Sequence, residues 1–450
     1  MKQVFQRKWS KFIQTVVDET NSPAGFHLNA FTSQISDSLP GSKWVSERRR
    51  SAMEKLALLE FPTQENEIWR YSIIDQLDLN SYSPSLSIPS DSQVSSSFVE
   101  KLSEPVVSVV INDGWLKAVT NVDSIASSGV YVGPISKAPK EFESSKGTFK
   151  ESSDFFGLFN SAFTPEPVLI GVPDGVRLTS PICIEIQSVL TGVVSCPRIL
   201  VHLGNDAEIA IIEHHFSTDC DSLSLPVFEG EVGENSLLRH SVVQDLQNTT
   251  KQISKQTFRV EKAASVKTFN AGFGGNYART ETECRLVGRG SEAFLTAAYF
   301  GNEEQILDFR TFQKHEAPDT RSKLIFKGVL DDDSRSVYSG LIKVLPEAIR
   351  TRAEQTNRNI KLSENAWAES VPNLEIETND VMCSHASTVS GVDEEHLFYL
   401  ESRGVPTPAA EHLIVAGFYE EVFRGSSHSV LEEMLRVLLS EKLQKIPKDS

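Results

Sequence analysis

Apolar side chains change their period twice along this chain. Near the N-terminus Val4, Phe5, Trp9, Phe12, Ile13, Val16 and Val17 recur three and four residues apart, and Asn21-Ser22-Pro23 ends the stripe. That spacing predicts a helix. A second helix is expected from Ser46 to about Leu59, with Ser46 as N-cap and Pro62 as its stop. Phe61 to Ser72 reads as a turn followed by a short aromatic-bearing segment. Ser81 to Ser97, rich in Ser and Pro, reads as a linker.

From about Val106 apolar and polar residues alternate and β-branched residues accumulate. Val106–Ile111, Ile182–Ile186, Ile199–Leu203, Ile209–Ile212, Val266–Phe269 and Leu324–Val329 are examples. A weak repeat runs through this region: an apolar strand end, a small or acidic turn, then a small residue opening the next strand. It begins at Leu203, Val232, Val260, Val287, Leu330 and Leu362. Most copies are roughly 27–32 residues apart, with one longer gap before Leu330. Unrelated hairpin turns in a β-sandwich are the competing reading. Six fairly even matches without intervening helices favour a β-solenoid, each coil burying its apolar positions against the next.

After Val389 the helical period returns. Asp393 is placed to cap a helix over Glu394–Ser402 that Gly404 ends. Thr407-Pro408 opens another, with Leu413, Ile414, Gly417 and Phe418 on its apolar side. Ser429-Val430-Leu431-Glu432 is a capping box before Leu435, Leu438 and Leu439. The expected fold is mainly β, a parallel β-solenoid core with helical N-terminal and C-terminal regions. The expected division is 1–80 helical, 81–104 linker, 105–390 solenoid and 391–450 helical tail.

Composition narrows the function. The chain has 450 residues, 39% hydrophobic and 23% charged, as in ordinary globular proteins. Its 44 basic and 61 acidic side chains give a net charge of −17, which argues against general binding to nucleic acid or anionic membranes. Arg48-Arg49-Arg50 is the densest basic run and reads as a solvated helix face. Charges interrupt the first residues before an apolar core of a signal peptide forms, and no window approaches the ~20 apolar residues of a membrane span. Five cysteines without a C-x-x-C pair suggest reduced thiols, hence a cytoplasmic protein.

Few catalytic signatures occur. There is no G-x-x-x-x-G-K-[ST] phosphate loop, no G-x-S-x-G elbow and no H-E-x-x-H. Gly272-Phe273-Gly274-Gly275 fits a tight turn. His214 and His215 fall on opposite faces of a strand, which is poor for a shared metal. Asp308, Arg310 and His315 resemble a catalytic group only loosely, lacking a nucleophile at recognisable spacing. Cys383 and His385, in Asn379 to Val389, share one strand face about 6–7 Å apart. A thiol and an imidazole so placed are either a buried Cys beside a satisfied His, or part of a metal or cluster site that needs further ligands.

Several segments together resemble one family. Phe61-Pro62, then Glu67-Ile68-Trp69-Arg70-Tyr71-Ser72, is similar to an N-terminal "FP…E-x-W-[KR]-Y-[ST]" signature. Phe156 to Phe163 is similar to an "L-N-x-A-F" box. Asp308 to Ser322, Phe326 to Leu330 and Gln355 to Asn359 match a run of the core. Cys383-Ser384-His385, with Leu397-Phe398-Tyr399-Leu400-Glu401-Ser402-Arg403-Gly404, looks like "C-S-H-G-A-T-V-G…L-F-Y-L-x-S-R-G". These are marks of the SufB/SufD subunits of iron–sulfur cluster assembly, and of the SufD branch in particular; the likeness covers roughly residues 46–425.

The resemblance implies a right-handed parallel β-helix and a non-catalytic scaffold. It also implies a SufB-like paralogue as partner and a SufC-like ATPase docked on the C-terminal helices. Carried over by position, His385 and then Cys383 become candidate ligands of a transient iron–sulfur cluster shared with a partner chain. Leu397, Phe398, Tyr399, Arg403, Gly404 and Phe418 become candidate partner-binding residues. The chain departs from the pattern at Ala386, Ser387 and Ser390. Flavin in the assembled complex is a further expectation of the resemblance, and it maps to no residue here. A SufB-like cluster-carrying role, or less favourably a β-helix enzyme acting on polysaccharide, is the alternative. An edge strand near 375–390 also suits self-pairing across a two-fold axis.

Overall fold

Strands that alternate apolar and polar residues, joined by short corners, stack in parallel when each coil returns the chain to its starting edge. That is the arrangement in the computed structural model, which describes residues 29–89, 107–147, 149, 152–425 and 429–444. The first predicted helix lies outside the described residues, as does most of the expected linker.

Among the described residues, eight coils of two strands each form the core. In chain order the strands are β1 Val168–Val172, β2 Ile182–Ser188, β3 Arg198–Leu203, β4 Glu208–Ser217, β5 Val227–Val232, β6 Leu237–Asp245, β7 Lys251–Val260 and β8 Ser265–Gly272. Then come β9 Tyr277–Leu286, β10 Glu292–Gly301, β11 Ile306–His315, β12 Arg321–Leu330, β13 Arg335–Val344, β14 Thr351–Lys361, β15 Trp367–Ile376 and β16 Val381–Ser390. Odd strands make one parallel sheet and even strands the other. Lys251 lies beside Tyr277 and Ser339 beside Val371, so one coil takes 26 to 32 residues.

The two sheets bury a shared lumen. Early coils fill it with Ile170, Ile184, Val201 and Ile211, all fully or almost fully buried; each such side chain contributes roughly 1.5–3 kcal/mol. Later coils add bonded polar groups beside apolar Leu307, Phe309, Leu324 and Phe326. Tyr299 donates to Asn359 Oδ1 at 2.7 Å, Asn357 donates to Tyr299 Oη at 3.0 Å, and Thr311 meets Tyr338 at 3.1 Å.

The corners explain the sequence repeat and correct it. Asp206, Asn235, Ala263, Gly290, Asp319 and Arg350, one per coil, all have positive φ and form a column where odd strands pass to even ones. Each donates its backbone N–H to the next coil, as Ala263 does to Arg289 O at 3.0 Å. The following residues, Ala207, Ser236, Ala264, Ser291, Thr320 and Thr351, are buried because the turn packs against its neighbours. The first four repeat copies belong to this corner. Those at Leu330 and Leu362 belong to the opposite corner, and the longer gap marks the change.

The helices flank this core. α1 is Ser33–Ser38 and α2 is Lys43–Leu56. α2 starts ahead of the expected Ser46 because the Ser42 side chain accepts from Val45 N. Of Arg48-Arg49-Arg50, Arg50 alone is solvent-exposed. Arg49 is buried, donating to the carbonyls of Leu39 and Thr164, and Arg48 donates to Phe149 O. Ser83–Pro84, inside the expected linker, pairs in parallel with Val193 and Val194. α3, Phe155–Phe163, is a buried helix not anticipated from the pattern; every side of it is apolar or bonded, which erases a stripe. α4 Glu394–Ser402, α5 Thr407–Phe423 and α6 Ser429–Gln444 form the tail, with Asp393 and Gly404 (φ 82°) bounding α4.

Candidate functional site

Among the described residues, the last coil has no further coil stacked on it. Along β16 Cys383, His385, Ser387 and Val389 stand in register with Ala353, Gln355, Asn357 and Asn359 of β14. On β14 those positions are buried; on β16 His385, Ser387 and Val389 are exposed. β15 repeats the pattern, with Pro372, Leu374 and Ile376 in register with Gly340, Ile342 and Val344. Leu374, Ile376, Met382 and Val389 are all more than a third exposed. Among the described residues β15 and β16 are each paired on one side only, so each presents a row of backbone donors and acceptors.

Cys383 and His385 differ in environment. Cys383 is half-buried against Ile342, Val344, Ala348 and Ala353, and burial pushes its thiol up from the ordinary cysteine range. His385 is exposed. Cys183, Cys196, Cys220 and Cys284 are buried, so Cys383 is the accessible thiol among the described residues. No cluster of three or more His, Cys, Asp or Glu able to hold a metal occurs among the described residues. Cys383 and His385 therefore supply at most two ligands from one chain. Beneath them the side-chain amides of Gln313 and Gln355 are buried with no partner among the described residues, giving the lumen an unsatisfied polar floor.

The tail supplies a second surface. α5 lies on β10 and β12 through Ala410, Val415, Tyr419, Val422 and Phe423, and Tyr419 donates to Tyr299 O at 2.5 Å. Leu413, Ile414, Gly417 and Phe418, expected on its apolar side, line a cavity of about 660 Å³ between α4, α5 and the last coils, and Phe418 also packs against the core beneath α5. Phe418 is held by Lys327, which donates to its carbonyl at 2.8 Å and sits 4.9 Å from its ring. α4 buries none of its residues. Phe398 is 72% and Tyr399 56% exposed, Arg403 covers the Tyr399 ring at 5.2 Å, and Leu397 is half-buried.

Other candidates serve the fold. Asp308 is fully buried; Arg279 donates to it at 2.7 Å and Arg310 at 2.6 Å, and Tyr277 donates at 3.1 Å. Burial raises its carboxyl, but the two guanidinium groups outweigh that and hold it below the usual range. The arginines reach on to Ile68 O and Arg70 O, and Arg279 stacks 3.9 Å from the Trp69 ring. The trio thus pins the N-terminal aromatic segment to the odd sheet. His315 is apart from it, with ring nitrogens bonded to Thr320 and Ser322. Asn160 of α3 donates to Pro197 O and Leu225 O and accepts from Arg198.

One internal cluster escaped the sequence reading. Glu213 meets His215 at 2.9 Å and His240 at 2.5 Å inside the lumen. Burial pushes its carboxyl up, but these two hydrogen bonds prevail and hold it at about 2. The spacing from Glu213 to His240 is about one coil, the signal that would have found it. His214 turns to the opposite face and stacks on Phe216.

The family model for the SUF system FeS cluster assembly SufBD core domain matches residues 186–418, and that for the SufBD N-terminal region matches 32–184. The chain belongs to the SufBD family. Among SufBD relatives, a protein of Arabidopsis thaliana named Protein ABCI7, chloroplastic, is 27% identical over 428 residues, covering 90% of this chain and 89% of that one. The iron-sulfur cluster assembly protein SufD of Escherichia coli is 24% identical over 411 residues, 88% and 93% of the two chains. An iron-sulfur cluster assembly SufBD family protein of Mycobacterium tuberculosis is 28% identical over 347 residues, 74% and 85%. The SufBD solenoid and its helical flanks are thus the frame in which the open end and tail act.

Proposed function

We propose that this chain is a non-catalytic scaffold subunit of a cytoplasmic SUF iron–sulfur cluster assembly complex. It pairs with a SufB-like paralogue through the open end of its solenoid and receives a SufC-like ATPase on α4 and α5. The cluster is cargo: His385, with Cys383 as the weaker candidate, contributes one side of a ligand set that the paralogue completes. One observation carries this reading, the uncapped last coil that exposes His385 on the same side as Leu374, Ile376 and Val389. An apolar rim around a polar, accessible imidazole suits a site that forms between two chains and lets its cluster leave. The exposed Phe398 and Tyr399 on α4 support the ATPase assignment.

The test is co-expression with a SufB-like and a SufC-like partner, comparing wild type with His385→Ala. A stable complex in both, with cluster formation lost in the variant, is the expected outcome. Absence of a complex with wild type contradicts the scaffold role; undiminished cluster formation in the variant contradicts the ligand role.

A further inference from the structure

The outer surfaces of the two sheets treat charge differently. On the odd sheet most cations along the coils have a carboxylate at hand, exposed Arg335 at the start of β13 excepted. Arg259 pairs with Glu231 and Glu261, Arg285 with Glu316, Lys314 with Glu283, and Lys343 with Glu375. On the even sheet Arg239 of β6 pairs with Glu208 of β4, whereas Lys267, Lys323, Arg352 and Arg358 are exposed and none has a carboxylate within 4.0 Å among the described residues. Arg321 reaches Glu292 only at 3.8 Å.

Two like-charged contacts sharpen the contrast. Arg321 stands directly beside Arg352 on the adjacent strand, and Lys327 beside Arg358. Strand neighbours are about 4.8 Å apart, where equal charges destabilise a sheet. Six cations, Lys267, Arg321, Lys323, Lys327, Arg352 and Arg358, face three carboxylates, Glu292, Glu354 and Glu421, in a chain whose net charge is −17. A costly exception to the local pattern of a fold is where binding is expected.

We propose that the outer face of the even sheet beside α5, carrying Lys267, Arg321, Lys323, Arg352 and Arg358, docks an acidic amphipathic segment of a partner protein. The geometry sets the class of partner. Paired arginines one strand apart bracket a carboxylate through charge-assisted, bidentate bonds. Arg358 also lines the cavity that Leu400, Leu413 and Phe418 make apolar, so a segment with carboxylates on one side and an apolar anchor on the other meets both. The patch spans four strands, only about 14 Å along the axis, on an acidic chain, which disfavours a long polyanion such as RNA.

Fluorescence anisotropy with the full chain and a labelled 14-residue helical peptide of leucines at i, i+4 among glutamates tests this. Wild type is expected to bind, with affinity falling at least tenfold between 50 and 300 mM NaCl. Arg352→Glu/Arg358→Glu is expected to weaken binding at least tenfold while its unfolding temperature stays level or rises, because the like-charged contacts are gone. Arg352→Gln/Arg358→Gln should weaken binding in the same direction, and Arg335→Glu/Lys137→Glu should change it less than twofold. No binding by wild type, an equal loss in the Arg335/Lys137 control, or tighter binding of a 14-nucleotide single-stranded RNA would each overturn the proposal.

Discussion

Asp308 is the residue on which the attachment of the N-terminal segment converges. Its carboxylate neutralises two fully buried arginines that also hold Ile68 and Arg70 by their carbonyls. Removing one partner of such a group leaves uncompensated buried charge, which costs roughly 3–5 kcal/mol. Asp308→Asn should therefore lower stability by about that amount in urea titration, and Trp69 fluorescence should change ahead of the main transition as its stack on Arg279 loosens. A loss below ~1 kcal/mol would mean that the arginines are hydrated there and that the anchor lies elsewhere. Because the trio is consumed in this anchor, its likeness to a catalytic group is a consequence of charge pairing.

At the level of elements, strands announce themselves through alternation, whereas corners announce themselves through backbone need. Ile182–Ile186, Ile199–Leu203 and Leu324–Val329 all lie within strands. The repeat was legible as a family of turns but not as two corners, because both use small or acidic residues after an apolar strand end. The positive-φ column separates them, and φ is only partly visible in residue type: Asn235 and Gly290 suggest it, Ala263 and Arg350 do not. α3 was illegible for a different reason, since a helix buried on all sides has no polar face to set a period. Likewise the charge run at Arg48 to Arg50 looks solvated until its carbonyl partners, supplied from distant loops, are in place. Ala263, at φ 55°, occupies a conformation that costs an L-residue about 1–2 kcal/mol. Ala263→Gly should stabilise the chain by ~0.5–1 kcal/mol after the entropy of glycine is subtracted, as measured by denaturant midpoint. A destabilisation would show that the methyl group, not the backbone, matters at that corner.

At the scale of the whole molecule, the solenoid is closed at one end and open at the other. The hairpin Ser108–Asn112 and Trp115–Thr120 pairs with β2, and Tyr131–Pro134 pairs antiparallel with β1, so the first coil is covered. No such cover lies on β15 and β16 among the described residues, and behind them the lumen sets the Gln313 and Gln355 amides beside apolar Ile342 and Val344. Cys383 and His385 were readable as a same-face pair from their alternation, and an edge strand near 375–390 was expected; that Cys383 is half-buried while His385 is exposed was not, since it depends on where stacking stops. The central claim is that this end is completed by another chain. Hydrogen exchange on mixing with a SufB-like partner tests it most directly. Backbone amides of β15 and β16 are expected to slow at least tenfold on mixing while those of β5 to β9 stay unchanged, and unaltered exchange in β15 and β16 within a formed complex would contradict the account.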